Sequence, residues 1–145
     1  MTDLSSTEKH LDQGYVLLRY EGVYDSHLIN LDCLVPLATA TLEEVLNLRA
    51  LVIDLTAVSE ITMADSDVYT HQYVYGEMKL LLDALDVDIG EIVKNTQRLT
   101  VCPTHLRKAW LERMEIIQLA PGWHQLSEVV FFDTIEAAVA AVNPV

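Results

Sequence analysis

From Tyr15 to Gly22 the chain reads YVLLRYEG, a β-branched and aromatic run with the pattern of a strand. Asp12-Gln13-Gly14 before it has turn chemistry, so a short strand over residues 8–11 is expected to pair back, with residues 1–8 loose. Leu28, Leu31 and Val35 then make one helical stripe behind Tyr24-Asp25-Ser26, and Pro36 marks a kink or restart. Thr41-Leu42-Glu43-Glu44 is a capping-box pattern, in which the hydroxyl takes a free helix N–H and the Glu reaches back. The stretch from Leu51 to Leu55, LVIDL, is apolar except at Asp54, the pattern of a strand buried on both faces. Val74, Met78, Leu81 and Leu85 recur at helical spacing and predict a long helix over 66–85.

RLTVCP is a short strand stopped by Pro103, and Thr104 stands where it would cap the next helix, whose stripe is Leu106, Trp110 and Met114. Val129 to Phe132 reads as another buried strand. Asp133 and Glu136 suit a helix start, with Ile135, Ala138, Val139 and Val142 on one face. Strands alternating with helices in this order predict an α/β fold: a single-layer, mixed and largely parallel sheet of four or five strands with crossover helices. At 145 residues one domain is expected.

Composition narrows the function. A net charge of −13 repels phosphates and anionic lipid, which argues against nucleic-acid binding and membrane docking. No stretch has the roughly 20 apolar residues of a spanning helix, and the first residues lack a positive leader and apolar core, so a cytoplasmic protein without membrane insertion is expected. Cys33 and Cys102 do not make a disulfide framework. The charge is uneven: Lys94, Arg98, Arg107, Lys108 and Arg113 give residues 94–113 a net +4, either an anion site or interface, or a solvated helix face.

In open α/β sheets ligands gather beyond the carboxyl ends of the strands. Those ends offer Asp25-Ser26-His27, Thr56 to Asp67, Cys102 to His105, and Asp133-Thr134. Cys102 is the candidate reactive thiol: a helix start with Arg107 and Lys108 nearby would favour its thiolate, and His105 would be the base; the other reading is a small buried hydrophobe. Arg107 and Lys108 in a first helical turn oppose the helix dipole, which a bound anion or partner carboxylate would relieve. Tyr69, Tyr73 and Tyr75 with Trp110 and Trp123 either line an apolar pocket or pack the core. No paired metal-ligand spacing occurs, and Asp83, Asp86, Asp88 and Glu91 lack the alternation of a calcium loop and read as a solvated helix end. With five glycines and no phosphate-cradling run, no cofactor is expected.

Two motifs carry a resemblance. Gly22-Val23-Tyr24-Asp25-Ser26 ends an early strand in Gly before a helix start, and Phe131-Phe132-Asp133-Thr134-Ile135-Glu136-Ala137-Ala138 runs a last strand into a small-residue helix. With LVIDLTAV feeding a long helix, the chain resembles the STAS domains, which include bacterial anti-sigma-factor antagonists, and within them the divergent SpoIIAA-like branch. The resemblance covers residues 14–142. In that family Asp-Leu-(Ser/Thr) is followed by Ile-Asp-Ser-Ser-Gly, whose second Ser is phosphorylated. Counted without gaps from Asp54-Leu55-Thr56, the acceptor falls on Ala64; with a loop three residues longer it falls on Asp67. Neither register restores the motif, and Ser66 remains as a stand-in that would equally serve as an N-cap.

The resemblance implies a non-enzymatic regulatory or protein-interaction domain without an intact phosphoacceptor, with a binding surface over Asp25, Ser26, Thr62, Asp65, Ser66, Asp67, Arg107 and Lys108. The residues leave two other functions open: a pocket at the strand carboxyl ends for a small apolar or anionic metabolite or lipid, and an enzyme using Cys102. A protein partner is the first expectation for binding, and a homodimer covering an exposed edge strand the second.

Overall fold

The computed structural model of the chain describes residues 2–24, 41–62, 67–118 and 128–144, and at 2–6, 67–72, 74, 75 and 117 the backbone alone. One five-stranded sheet runs through it in the order β1 (Thr2–His10), β2 (Tyr15–Tyr24), β3 (Ala50–Ile61), β4 (Gln97–Val101) and β5 (Val129–Phe132). The β1–β2 pair is antiparallel and all others are parallel, the mixed α/β sheet that the alternating elements predict. The first helix expected, around Leu28 to Val35, lies outside the described residues.

The amino-terminal residues correct an expectation. They are not loose: β1 starts at Thr2 and pairs from Thr2–Gly22 to His10–Tyr15, with a bulge between Leu4 and Ser6. The polar composition hides the strand because its backbone bonds come from β2 rather than from an apolar pattern of its own. The Leu11–Gly14 turn closes the hairpin, and Gly14, at φ 86°, adopts a conformation that suits glycine. The Gly14 carbonyl also accepts from Arg49 N–H (2.6 Å) and Ala50 N–H (3.1 Å), fastening the turn to the start of β3.

β3 is longer than the apolar run suggests. The β3–β4 ladder ends at Asp54 and Val101, whereas β2 stays paired as far as Ile61. Past Leu55 the chain no longer needs burial on both faces, so Val58 and Ile61 are buried while Thr56, Ser59 and Glu60 face solvent. Asp54 is the polar residue within the run. Its Oδ1 accepts from the Thr56 N–H (3.0 Å) and hydroxyl (2.7 Å), beside the register shift opposite Arg19–Glu21.

Helices cover both faces. On one, Val16, Leu18 and Tyr20 of β2 and Ile53 and Leu55 of β3 pack in the core with helices α1 (Leu42–Asn47), α2 (Asp67–Asp83), α3 (Ile89–Asn95) and α4 (Arg107–Ile117). On the other, Leu17, Val52, Leu99 and Val101 pack against α5 (Ile135–Ala140) through Ala138, with Ile135, Val139 and Val142 half-buried. The Thr41–Glu44 capping box forms at α1 as predicted, with both reciprocal bonds present (3.0 and 3.2 Å).

Four local readings change. Leu82, not Leu81, is the buried member of the α2 stripe with Met78, and Leu81 is exposed. Thr104 does not cap a helix: it opens a 3-10 turn, Thr104–Leu106, that leads into α4 without a side-chain cap. Among the described residues β5 is the edge strand of the sheet, and it is only half-buried, with Val130 exposed. At α5 the cap is Thr134, whose Oγ1 accepts from Ala137 N–H at 3.1 Å, in place of Asp133.

The fifth change is an added element, α3. The turn after α2 is a Schellman closure: Val87 N–H donates to Leu82 O (2.9 Å) and Asp86 N–H to Asp83 O (3.0 Å). Asp86 takes the left-handed position at φ 57°. Asp88 then caps α3 through Gly90 N–H at 2.8 Å, so the acidic cluster spans two helix ends.

Candidate functional site

β2 and β3 end side by side, and their last residues are locked. Thr62 donates to the Tyr24 carbonyl twice, from its N–H (2.8 Å) and its hydroxyl (3.1 Å), and the Ser59 hydroxyl reaches Gly22 O at 3.2 Å. The Tyr24 side chain turns inward, fully buried, edge-on to Tyr20 (4.8 Å between centroids) and to Trp110 of α4 (5.3 Å). Arg113, one turn further along α4, is also fully buried. Its guanidinium lies 4.6 Å from the Tyr24 ring centroid and Nη1 donates to Thr62 O at 3.5 Å.

A cation therefore sits in the core beside Thr62, at the joined ends of β2 and β3. Burying a charge is costly unless polar and aromatic groups face it, and here the carbonyl of Thr62 and the face of Tyr24 offset part of that cost. Sequence reading missed Tyr20, Tyr24 and Arg113. The available signal was the even-numbered spacing of Val16, Leu18, Tyr20 and Tyr24 on one face of β2, whereas an arginine between Glu112 and Glu115 on a helix reads as solvated.

Of the predicted surface residues, Thr62 stands at the strand end and Asp67 opens α2, with its backbone alone described. Asp25, Ser26, Asp65 and Ser66 lie outside the described residues, as do Ala64 and Trp123. Arg107 has other engagements. Its Nε donates to Cys102 O (3.1 Å), its Nη2 meets Asp133 Oδ1 (3.0 Å), and the guanidinium covers Phe131 at 5.2 Å. It ties the start of α4 to the ends of β4 and β5, while Lys108 is exposed.

The same is true of the basic segment as a whole. Arg98 and Arg113 are buried and Arg107 faces Asp133, so Lys94 and Lys108 are the exposed cations of residues 94–113. Arg98 donates from Nη1 to the Met114 sulfur (3.3 Å), and burial lowers its pKa to about 10, so it stays charged at neutral pH. The segment is not a basic patch.

Cys102 is 2% exposed and faces the core beside Leu106 and Trp110. Desolvation pushes its thiol up to about 11, and the opposing effect of Arg107 is smaller. That leaves almost no thiolate at neutral pH, and His105 is exposed. The buried-hydrophobe reading is the one that this geometry supports. On α2, Tyr73 (62% exposed) and Leu80 (67%) project into solvent on one helix face, with Leu81 beside Leu80. Tyr73 is thus neither pocket wall nor core; the side chains of Tyr69 and Tyr75 lie outside the description. A cleft of about 510 Å³ lies at the other end of the sheet, near the amino ends of β3 and β4.

No family model matches the chain, and no curated protein does. Among solved structures it is similar to the anti-sigma factor antagonist SpoIIAA in its unphosphorylated form. The TM-score is 0.43 and the identity 13%, over 97% of this chain and 94% of that one.

Proposed function

We propose that this chain is a non-enzymatic protein-interaction domain whose partner docks on the solvent face of α2, next to the joined ends of β2 and β3. The observation that carries the reading is the exposure of Tyr73 and Leu80, seven residues apart and so on one side of the helix. Tyrosine and leucine held in solvent on a rigid helix are the anchors that protein interfaces use. Because the net charge is −13, the partner presents an apolar pocket with a cationic rim.

Burial of Cys102 weighs against the enzymatic reading. The motif comparison, with Ala64 or Asp67 at the acceptor position, favours a surface that is not switched by phosphate. Affinity capture from the native cell with the wild-type chain and with the double variant Tyr73→Ser/Leu80→Ser tests the proposal. Capture of a specific protein by the wild type, and its loss in the variant with an unchanged thermal melt, is the expected result. Equal capture by both would overturn the α2 docking surface.

A further inference from the structure

The cleft at the end of the sheet away from Thr62 is separate from the α2 face. One wall is the end of α1 and the residues leading into β3; the other is α3 with the turn before it. The Gln97 N–H to Arg49 O bond (2.7 Å) ties the bases of the two walls together. The cleft measures about 510 Å³, and Leu46, Leu48, Val87 and Ile92 give it an apolar lining. Leu46 is 52% exposed and Leu42, one turn earlier on the same helix face, is 42% exposed. The apolar surface therefore continues out of the cleft along α1.

The polar lining is one-sided. Asp86, Asp88 and Glu91 line the cleft, each with its side chain largely in solvent. Arg49, the cation of the lining, donates from Nη1 to the carbonyls of Leu46 (2.7 Å) and Leu48 (3.3 Å), where it fastens the end of α1. An apolar trough with carboxylates along it suits an occupant with the reverse arrangement. We propose that this cleft docks a basic amphipathic helix of a partner protein. One apolar side chain enters between Leu48 and Ile92, a second rests on Leu46 and Leu42, and lysine or arginine groups face Asp86, Asp88 and Glu91. A second copy of this chain fits this role poorly, because its net charge of −13 is repelled by the acidic wall and residues 94–113 expose only Lys94 and Lys108, with Arg98 and Arg113 buried and Arg107 held by Asp133.

The probe is a synthetic peptide of about 16 residues, with leucines along one helix face and lysines elsewhere. It is titrated into the full chain at about 0.15 M salt and followed by amide chemical shifts, with a scrambled peptide of the same composition beside it. Expected are saturable shifts confined to residues 42–49 and 86–95, and weaker binding of the scramble. Asp86→Asn/Glu91→Gln and, separately, Leu46→Ser lower affinity at least about fivefold, whereas Glu112→Gln/Glu115→Gln on the exposed side of α4 changes it less than about twofold. Equal weakening by both charge-neutralised double variants, or shifts spread over the surface, would mean diffuse attraction to an acidic protein and would overturn the proposal. Displacement of the peptide by spermidine at the same amides would assign the cleft to small organic cations, and a dimer closed over Leu46 would assign it to a second copy; either overturns it. Tyr73→Ser/Leu80→Ser leaves peptide binding unchanged, so the cleft and the α2 surface stand or fall separately.

Discussion

The guanidinium of Arg113 lies over the ring of Tyr24, 4.6 Å from its centroid, so a helix that follows β4 holds down the end of β2. Through its bond to Thr62 O the same side chain also holds the end of β3. Three elements distant in sequence meet at one buried cation, beside the joined ends of β2 and β3.

That arrangement sets the first prediction. Arg113→Ala removes a fully buried side chain and lowers unfolding stability by about 3 kcal/mol, and Tyr24→Leu by about 2 kcal/mol. In a double-mutant cycle by urea denaturation the two couple by about 1–2 kcal/mol, as a desolvated cation–π pair should. Additive effects would show that the contact contributes nothing.

Cys102 gives the second. With its thiol raised to about 11, alkylation of the folded chain at pH 8 in a Cys33→Ser background is slower than that of the urea-unfolded chain by orders of magnitude. The linkage has a definite sign. The folded state holds the proton more tightly, so this contribution to stability is complete below the ordinary thiol value of 9.0 and is lost as pH rises through about 11. Stability of Cys102→Ala is correspondingly less sensitive to pH over that window. Rapid alkylation at pH 8 would show an accessible thiolate and reopen the catalytic reading.

The third concerns Asp86, held at φ 57° in the closure between α2 and α3. Asp86→Gly removes the cost of a left-handed side-chain-bearing residue and raises stability by roughly 1 kcal/mol. Asp86→Val, β-branched at the same φ, lowers it by at least about 1 kcal/mol. Thermal melts of the two variants moving in opposite directions are the expected outcome.

Asp86 also shows why parts of the fold were hidden. A helix stop is read from glycine, and here the left-handed residue is an aspartate, so the pattern predicts one helix over 66–85 with a solvated acidic end and leaves α3 unseen. Of β1 only the end beside the turn, read as residues 8–11, was legible, for a related reason: its backbone bonds are supplied by β2, and its own residues are polar. What was legible rested on burial periodicity, as in Leu106, Trp110 and Met114, or on reciprocal local bonds, as in Thr41 and Glu44. The location of the candidate site at the carboxyl ends of the strands followed from sheet topology. Its content did not, because a buried arginine and a solvated one are written identically in sequence.

The last prediction concerns the segment between Thr62 and α2. A phosphate on Ser66 would add nearly two negative charges to a helix start that already carries Asp65 and Asp67. The resemblance that places Ala64 or Asp67 at the acceptor position implies that this increment is not used. Intact-mass measurement of the chain purified from its native cell is therefore expected to show no phosphorylated species. Ser66→Ala and Ser66→Asp are expected to capture the same partner as the wild type, within about twofold, because two carboxylates already flank position 66 and salt screens a further exposed charge. A phosphorylated Ser66, or loss of the partner in Ser66→Asp alone, would show that a charge switch operates here after all, moved from the family's acceptor position to its neighbour.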